Sequence, residues 1–269
     1  MSLSRTTRRL AAAVLPLILF LALAGPAAAQ TTWQPRDTGD FRFVLAPYAW
    51  VAGMTGTVGI RGFQTKVDES FADIVKYING GFMIHGEMLY RDTAGLLGEF
   101  NYAALGDQVS HKRVSIDGQM SLVLVDIAGY YRLGTFSLGK DGGCPTSFDL
   151  LAGTRIWSLA GRLRAETAQR ELTISKQTAW VDPIVGARAT LHLTGKWLLE
   201  LRGGVGGFGA GSAFTWDAMG LAGYSFWSHG TLLAGYRAVG VTRNQGSGKD
   251  FFKFDATLNG PVLALAFIF

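Results

Sequence analysis

Beyond its first thirty residues the chain has no run of about 18 apolar residues, which excludes a helical membrane span in that part. Cysteine is nearly absent. Cys144 is the only one in 269 residues, so no intramolecular disulfide can form. The four histidines are scattered, no Cys/His cluster has ligand spacing, and neither a metal site nor a cofactor is expected. A large excess of charge is lacking too. The formal net charge is +5, and three of the basic residues, Arg5, Arg8 and Arg9, lie in the N-terminal segment. Without that segment the charge falls to about +2, so the high isoelectric point is no argument for a nucleic-acid partner.

The N-terminal segment reads as an address. Its three arginines precede an apolar run from Leu10 to Gly25, and Ala27, Ala28 and Ala29 supply the small residues of a cleavage site. Sec-type export with cleavage near Ala29 is expected; an uncleaved helical anchor is the alternative. No cysteine follows the run, which excludes a lipoprotein. The expected organisation is a signal peptide at 1–29, a short periplasmic segment at 30–40 and one β-domain at 41–269.

Hydrophobic residues make up 48% of the chain, which carries 36 Gly, 17 Phe, 8 Tyr and 7 Trp. Glycine and aromatics in bulk, without helical spans, suit a membrane barrel with closely packed strands and rings at the bilayer interfaces. From Phe41 onward, stretches of about ten residues alternate in polarity, each long enough to cross the roughly 25 Å apolar band of such a barrel when tilted. They fall at 41–51, 80–90, 95–105, 119–132, 147–160, 180–193, 197–207, 215–226, 231–242 and 251–269. In 197–207, for example, Trp197, Leu199, Leu201 and Val205 oppose Glu200 and Arg202. A soluble β-sandwich alternates as well, with its apolar face turned inward.

The last segment favours the membrane. Leu263, Leu265, Phe267 and Phe269 form an apolar stripe, and Phe267 with Phe269 looks like the insertion signal read by barrel-assembly machinery. Outer-membrane lipid and that machinery are the expected partners. The oligomeric state is not legible. The spacing predicts a closed all-β antiparallel transmembrane barrel of ten strands. Eight or twelve stay open, because 55–68 can pair as an additional hairpin. Longer connections are expected at 52–79, 106–118, 161–179 and 243–250, and a long turn at 133–146. Pro47, Pro183 and Pro261 fall inside strands, where they cannot donate ladder hydrogen bonds; at Pro47 and Pro261, in the first and last strands, bulges near the seam are expected.

One stretch breaks the β pattern. Phe71, Ile74, Val75 and Ile78 follow helical spacing, with Ser70 as cap and Asn79-Gly80 as stop. Such a helix could plug the barrel mouth or pack among the loops.

Several blocks together resemble a known group. They are Pro47-Tyr-Ala-Trp50, Gly56-Thr-Val, Asp68…Ser70-Phe-Ala-Asp-Ile74, Trp180-Val-Asp-Pro-Ile-Val-Gly-Ala-Arg188, Gly206-Gly-Phe-Gly-Ala-Gly-Ser212, Gly235-Tyr-Arg237, and Gly260-Pro261 through Phe269. They look like a family of uncharacterised proteobacterial outer-membrane β-barrel proteins, over nearly all of residues 41–269. The resemblance implies Gram-negative outer-membrane location and a small, porin-like barrel, and brings no catalytic residue with it.

Parity turns a charged set inward: Glu87, Glu99, Asp126, Asp149, Asp182 and Glu200 against Arg132, Arg155, Arg188, Arg202 and Arg237, with His85 and His192. Six acids and five arginines in a narrow lumen read as a salt-bridge network filling it. A gated small-solute channel is the alternative; it would carry an excess of one sign at a constriction. The third class is a lipid- or peptide-directed enzyme. Its only enzyme-like cluster is Asp107, Ser110 and His111 in an outer loop, where adjacent Ser and His face opposite ways in extended chain. Gly203–Gly211 lacks the Lys-Ser/Thr that closes a phosphate loop.

Overall fold

Strand backbones in a bilayer have no water to bond, so a membrane-spanning sheet must close on itself. The structure, a computed structural model, describes residues 40–60, 63–111, 114–138, 144–167 and 170–269, without the side chains at 60, 63, 107–117, 163–174 and 249. The expected signal peptide and nearly all of 30–40 lie outside the described residues.

The elements are β1 (Phe41–Trp50), β2 (Gly53–Ile60), β3 (Phe63–Glu69), α1 (Phe71–Ile74), β4 (Ile78–Tyr90), β5 (Ala94–His111), β6 (Val114–Leu138), β7 (Cys144–Thr167), β8 (Arg170–His192), β9 (Trp197–Gly206), β10 (Phe214–Trp227), β11 (Gly230–Gln245) and β12 (Phe252–Ile268). β1 pairs with β4, each strand from β4 to β12 pairs with the next, and β12 returns to β1. Ten strands therefore close an antiparallel barrel. The β2–β3 hairpin, the stretch that left the strand number open, extends the sheet beside the outer part of β12 (Gly53 opposite Asn259, Ile60 opposite Phe252) without entering the ring.

One rim carries the short turns and the start of β1; we term it the inner rim. The outer rim carries the long hairpins. Two expected loops, 106–118 and 161–179, are mostly strand: the β5–β6 and β7–β8 ladders run on to His111 opposite Val114 and Thr167 opposite Arg170. The expected turn at 133–146 is likewise a hairpin, the one long one on the inner rim among the described residues, with a register shift between Arg132 and Gly134. Alternating side chains continue past the apolar band, so the ladder has no reason to stop at its edge.

The prolines make no bulges. Register is the same on both sides of Pro47, with Val44 opposite Ile268 and Trp50 opposite Val262; pairing with β12 merely skips Ala46 and Pro47. Pro183 and Pro261 keep register as well, opposite Thr154 and Tyr236. The ladder on the other side of each strand holds the backbone in place. Phe269 completes the seam: its N–H donates to the Phe43 carbonyl at 2.9 Å.

The outside of the barrel is apolar and the inside charged, the inverse of a soluble barrel. Ile127, Leu150, Val181, Val185, Leu201 and Leu263 are exposed, whereas Asp126, Asp149, Arg155 and Asp182 are buried. Among the described residues, no charged side chain points outward between the two aromatic edges; Arg162, Lys253 and Asp255, of outward parity, lie at or beyond the outer one. Aromatic rings mark both edges of this band, with Phe41, Tyr90 and Trp197 toward the inner rim and Phe82, Tyr102 and Phe214 toward the outer. Trp197 and Tyr224 pack at 5.0 Å on adjacent strands. A continuous uncharged exterior of this kind is the surface of a transmembrane barrel.

An arginine on that surface at mid-bilayer costs about 2–4 kcal/mol. Val185→Arg is therefore expected to lower unfolding stability in lipid by about that amount, and Val185→Ala by much less. Equal stabilities in a urea titration in bilayers would show that this face does not meet lipid.

Candidate functional site

The inward residues sort into three storeys. Around the waist, acids and bases form a continuous alternating chain. Arg132 holds Asp149 at 2.8 Å and approaches Asp92 at 3.5 Å. Arg188 bridges Asp149 at 2.8 Å and Glu87 at 2.7 Å. His85 stands between Glu87 and Glu99, at 3.5 and 3.3 Å. Glu99 then meets Arg202 at 2.7 Å and Arg237 at 3.0 Å. Arg155 forks onto both oxygens of Asp126, at 2.7 and 2.8 Å, and reaches Asp217 at 2.9 Å.

Register pairs Asp149 with Arg132 and Arg188, and Asp126 with Arg155, on adjacent strands, and explains why other pairs must cross the lumen. Glu99 stands directly opposite Asp126, and Arg188 opposite Arg202, so neighbouring strands set like charges side by side. Relief comes from the far wall: Arg237 of β11 reaches both Glu99 and Asp126 of β5 and β6, and Glu87 of β4 reaches Arg188 of β8. Neutral groups complete the belt. Tyr130 donates to Glu87 at 2.5 Å, with the Arg188 guanidinium 4.7 Å from its ring centre. The Tyr130 ring lies across Gly95, where any Cβ would strike it. Tyr48 donates to Asn101 at 2.6 Å.

Nine of the eleven expected charges thus join the belt, and two stand apart. Asp182 pairs with neither Arg188 nor Arg155, although it lies opposite Arg155 in register. Its carboxylate instead accepts from the Ser212 N–H at 2.5 Å, the Ser212 hydroxyl at 2.8 Å and the Trp180 indole at 3.2 Å. Glu200 lies opposite Thr190, in the field of Arg188 and Arg202, and among the described residues makes no ion pair within 4 Å. Asp217, Asp92, Asn101, Tyr48 and Tyr130 enter the belt without having been singled out in the sequence. Asp217 had the right parity, between the inward positions Thr215 and Met219.

Comparison with known proteins adds no role. No family model and no curated protein sequence matches the chain. Among solved structures it is similar to the attachment invasion locus protein Ail of Yersinia pestis, solved with the heparin analogue sucrose octasulfate (12% identity, TM-score 0.39, 86% of this chain and 100% of that one). It is also similar to the translocator domain of the autotransporter NalP of Neisseria meningitidis (11%, 0.47, 97% and 97%) and to the outer membrane protease OmpT of Escherichia coli (9%, 0.46, 88% and 100%). At these values no residue and no activity carries over.

Outward of the belt lies an aromatic storey that composition alone does not reveal. Trp157 and Trp180 point into the lumen and stack at 5.7 Å, with Phe254 edge-on at 6.3 and 6.4 Å and Phe252 at 6.1 Å from Trp180. Leu124, Val239, Val241 and Trp50 complete a buried apolar core inside the barrel.

The Gly206–Ser212 block caps this core. The loop turns inward through Gly207 and Gly209, at φ 84° and 81°, and drops Ser212 to full burial against Asp182. Gly207 donates to the Pro183 carbonyl at 3.0 Å. Arg243 donates to the Gly211 carbonyl and stacks 4.7 Å from the Trp180 ring. A Cβ on Gly211 would strike the Val181 carbonyl. The Asp182-Pro183 and glycine blocks are therefore two halves of one clasp. No periodicity signals it, because half of it is loop.

The expected plug is not formed as a unit. α1 is a single turn, capped by Ser70 and followed by a 3-10 turn at Val75–Tyr77. Ile78 is already in β4, so the four-residue stripe breaks: Ile74 is buried while Phe71 and Ile78 are exposed. The helix packs on β2 at the outer rim. There the Lys76 and Ser70 hydrogen bonds hold the Asp73 carboxyl below its ordinary range. Asp107, Ser110 and His111 have side chains outside the described residues.

Two outcomes follow. Arg188→Ala takes the guanidinium from both Glu87 and Asp149, leaving Asp149 to Arg132 and Glu87 to Tyr130 and His85, and is expected to cost about 3 kcal/mol, whereas Glu200→Ala, which breaks no ion pair among the described residues, costs much less. Equal losses on urea unfolding would contradict the pairing described. Asp182→Ala strands the Ser212 N–H and hydroxyl, at about 1–3 kcal/mol each, while the Trp180 indole keeps its 2.7 Å bond to the Ser212 hydroxyl. It should free the loop so that chymotrypsin cuts after Phe208, which the intact clasp resists; equal resistance in both proteins would show that Asp182 does not hold the loop.

Proposed function

We propose that the protein is an integral outer-membrane barrel of structural type whose lumen is closed at rest. The carrying observation is that two filled storeys lie in series. Ion pairs span the waist from wall to wall, and the Trp157–Trp180–Phe254 core fills the lumen outward of it. A ten-stranded barrel is only slightly wider than the eight-stranded kind that side chains fill, so these groups occupy the bore. Outer-membrane location is supported by the uncharged exterior with aromatic edges and by the signal-like N-terminal segment, and the sequence resemblance to outer-membrane barrels points the same way.

The belt also speaks against a selective pore, since acids and bases alternate where a filter would carry one sign. An enzyme is not favoured: the belt's carboxylates are held in ion pairs, and the buried Ser212 hydroxyl is committed to Asp182. Among the described residues no group of His, Cys, Asp and Glu has the geometry to hold a metal ion.

Planar-bilayer recording tests this reading. The wild type should show little conductance, and Trp157→Ala combined with Phe254→Ala should raise it. Phe71→Ser, at the exposed rim helix, should leave it unchanged. Free conduction by the wild type would overturn the closed-barrel reading and favour the small-solute channel.

A further inference from the structure

The third storey lies between the belt and the inner rim, and it is not filled. A cavity of about 330 Å³ opens there, within the range of small-molecule sites. Its two walls differ in kind. One is apolar and built largely from small side chains: Val44 and Ala46 of β1, Leu233 of β11, and Val262, Ala264 and Ala266 of β12. The other is the face of the belt, with Glu87, Glu99, Arg188, Arg202 and Arg237, and beside it Glu200, which makes no ion pair among the described residues.

Water alone is a poor occupant of such a space. It gains hydrogen bonds on one wall and none on the other, and covering the apolar wall with a hydrocarbon is favourable by roughly 25 cal/mol per Å². The belt face adds a demand of its own. Arg202 and Arg237 share the single carboxylate of Glu99 as their nearest partner. Arg202 keeps Nη2, and Arg237 keeps Nε, without an acceptor. Both residues are more than nine-tenths buried, and both line the cavity. Glu99 Oε2, 3.0 Å from Arg237 Nη2, also lacks a hydrogen-bond partner, so two unmet N–H groups stand against one unmet oxygen and the cluster is short of an acceptor. Guanidinium donors favour a carboxylate above a neutral acceptor.

We propose that this cavity binds an aliphatic monocarboxylate, its head at Arg202 and Arg237 and its chain along β12 toward the inner rim. The apolar wall runs from Val262 to Ile268, about 20 Å of strand, which accommodates an extended decanoate. Entry is from the inner rim, because the belt and the aromatic core close the other end. This site does not depend on whether the barrel conducts.

Decanoate is the probe, with decanol and decyltrimethylammonium as matched controls. The full barrel is held in nanodiscs and its thermal unfolding followed against probe concentration. Decanoate should raise the unfolding midpoint saturably and with an affinity about tenfold above that of decanol, the worth of one charge-assisted pair. Ala264→Trp fills the cavity from its apolar wall, and should abolish the effect while the unheated protein still migrates as a folded barrel. Ala266→Leu is a smaller filling of the same wall; it should weaken the effect, and carries the test if Ala264→Trp does not fold. Equal effects of decanol and decanoate would overturn the carboxylate assignment. So would a stronger effect of decyltrimethylammonium, which would make Glu200 the anchor. A decanoate effect that survives the filling variants would place binding on the lipid-facing wall and overturn the site.

Discussion

A guanidinium taken out of water inside a barrel must find a carboxylate, and the surrounding sheet must bring that carboxylate to it. In this protein adjacent strands do only part of that work. They pair Arg132 with Asp149 and Asp126 with Arg155, but they also set Glu99 beside Asp126 and Arg188 beside Arg202. Each like-charged neighbour is balanced from the opposite wall. The belt is thus satisfied only when the ring is closed in this register, since a slip of one residue would carry a strand's whole charged set to the lipid face. The ion pairs select one closed arrangement even if each contributes little net stability.

The storey above depends on that closure. Trp157 and Trp180 lie on adjacent strands, and Phe252 and Phe254 come from β12 across the lumen, so the aromatic core exists only once β12 has taken its place. The clasp then adds an edge. Asp182 is a buried acid that no arginine neutralises directly; a backbone N–H, a hydroxyl and an indole N–H serve it instead. Three hydrogen bonds to one carboxylate hold a seven-residue loop that has no regular structure, and they require the glycines that let it turn inward.

What was legible in the sequence follows from what periodicity reports. A two-residue period gives the strands, their faces and the inward charges, and segment length against bilayer thickness gives ten spans. Partners across the lumen are not periodic. Nothing local distinguishes Arg188, which bridges Glu87 a hundred residues away, from Glu200, which bridges nothing among the described residues. Ser212 sits in a glycine loop without a face. The helix over 71–78 was over-read because its last apolar position, Ile78, already belongs to β4, and four spaced residues cannot report where a helix stops. Parity places Trp50, Trp157 and Trp180 inside, but it does not report that their rings meet one another and β12 in an apolar core.

The asymmetry of the lumen has a single structural source. The charged positions lie mostly on β4 to β10, while the inward residues of β12 are apolar throughout, and those of β1 are so except at Arg42 and Tyr48. Near the outer rim the apolar sector carries large residues, Phe252, Phe254 and Leu258, and the space closes. Toward the inner rim the same sector carries Val262, Ala264 and Ala266, while the opposite wall keeps its arginines drawn into the belt by their carboxylates. Small residues on one side and tethered ones on the other leave a gap that neither wall can cross. Side-chain size along β12 therefore decides which end of the barrel is filled, and the belt marks the boundary between the filled end and the open one.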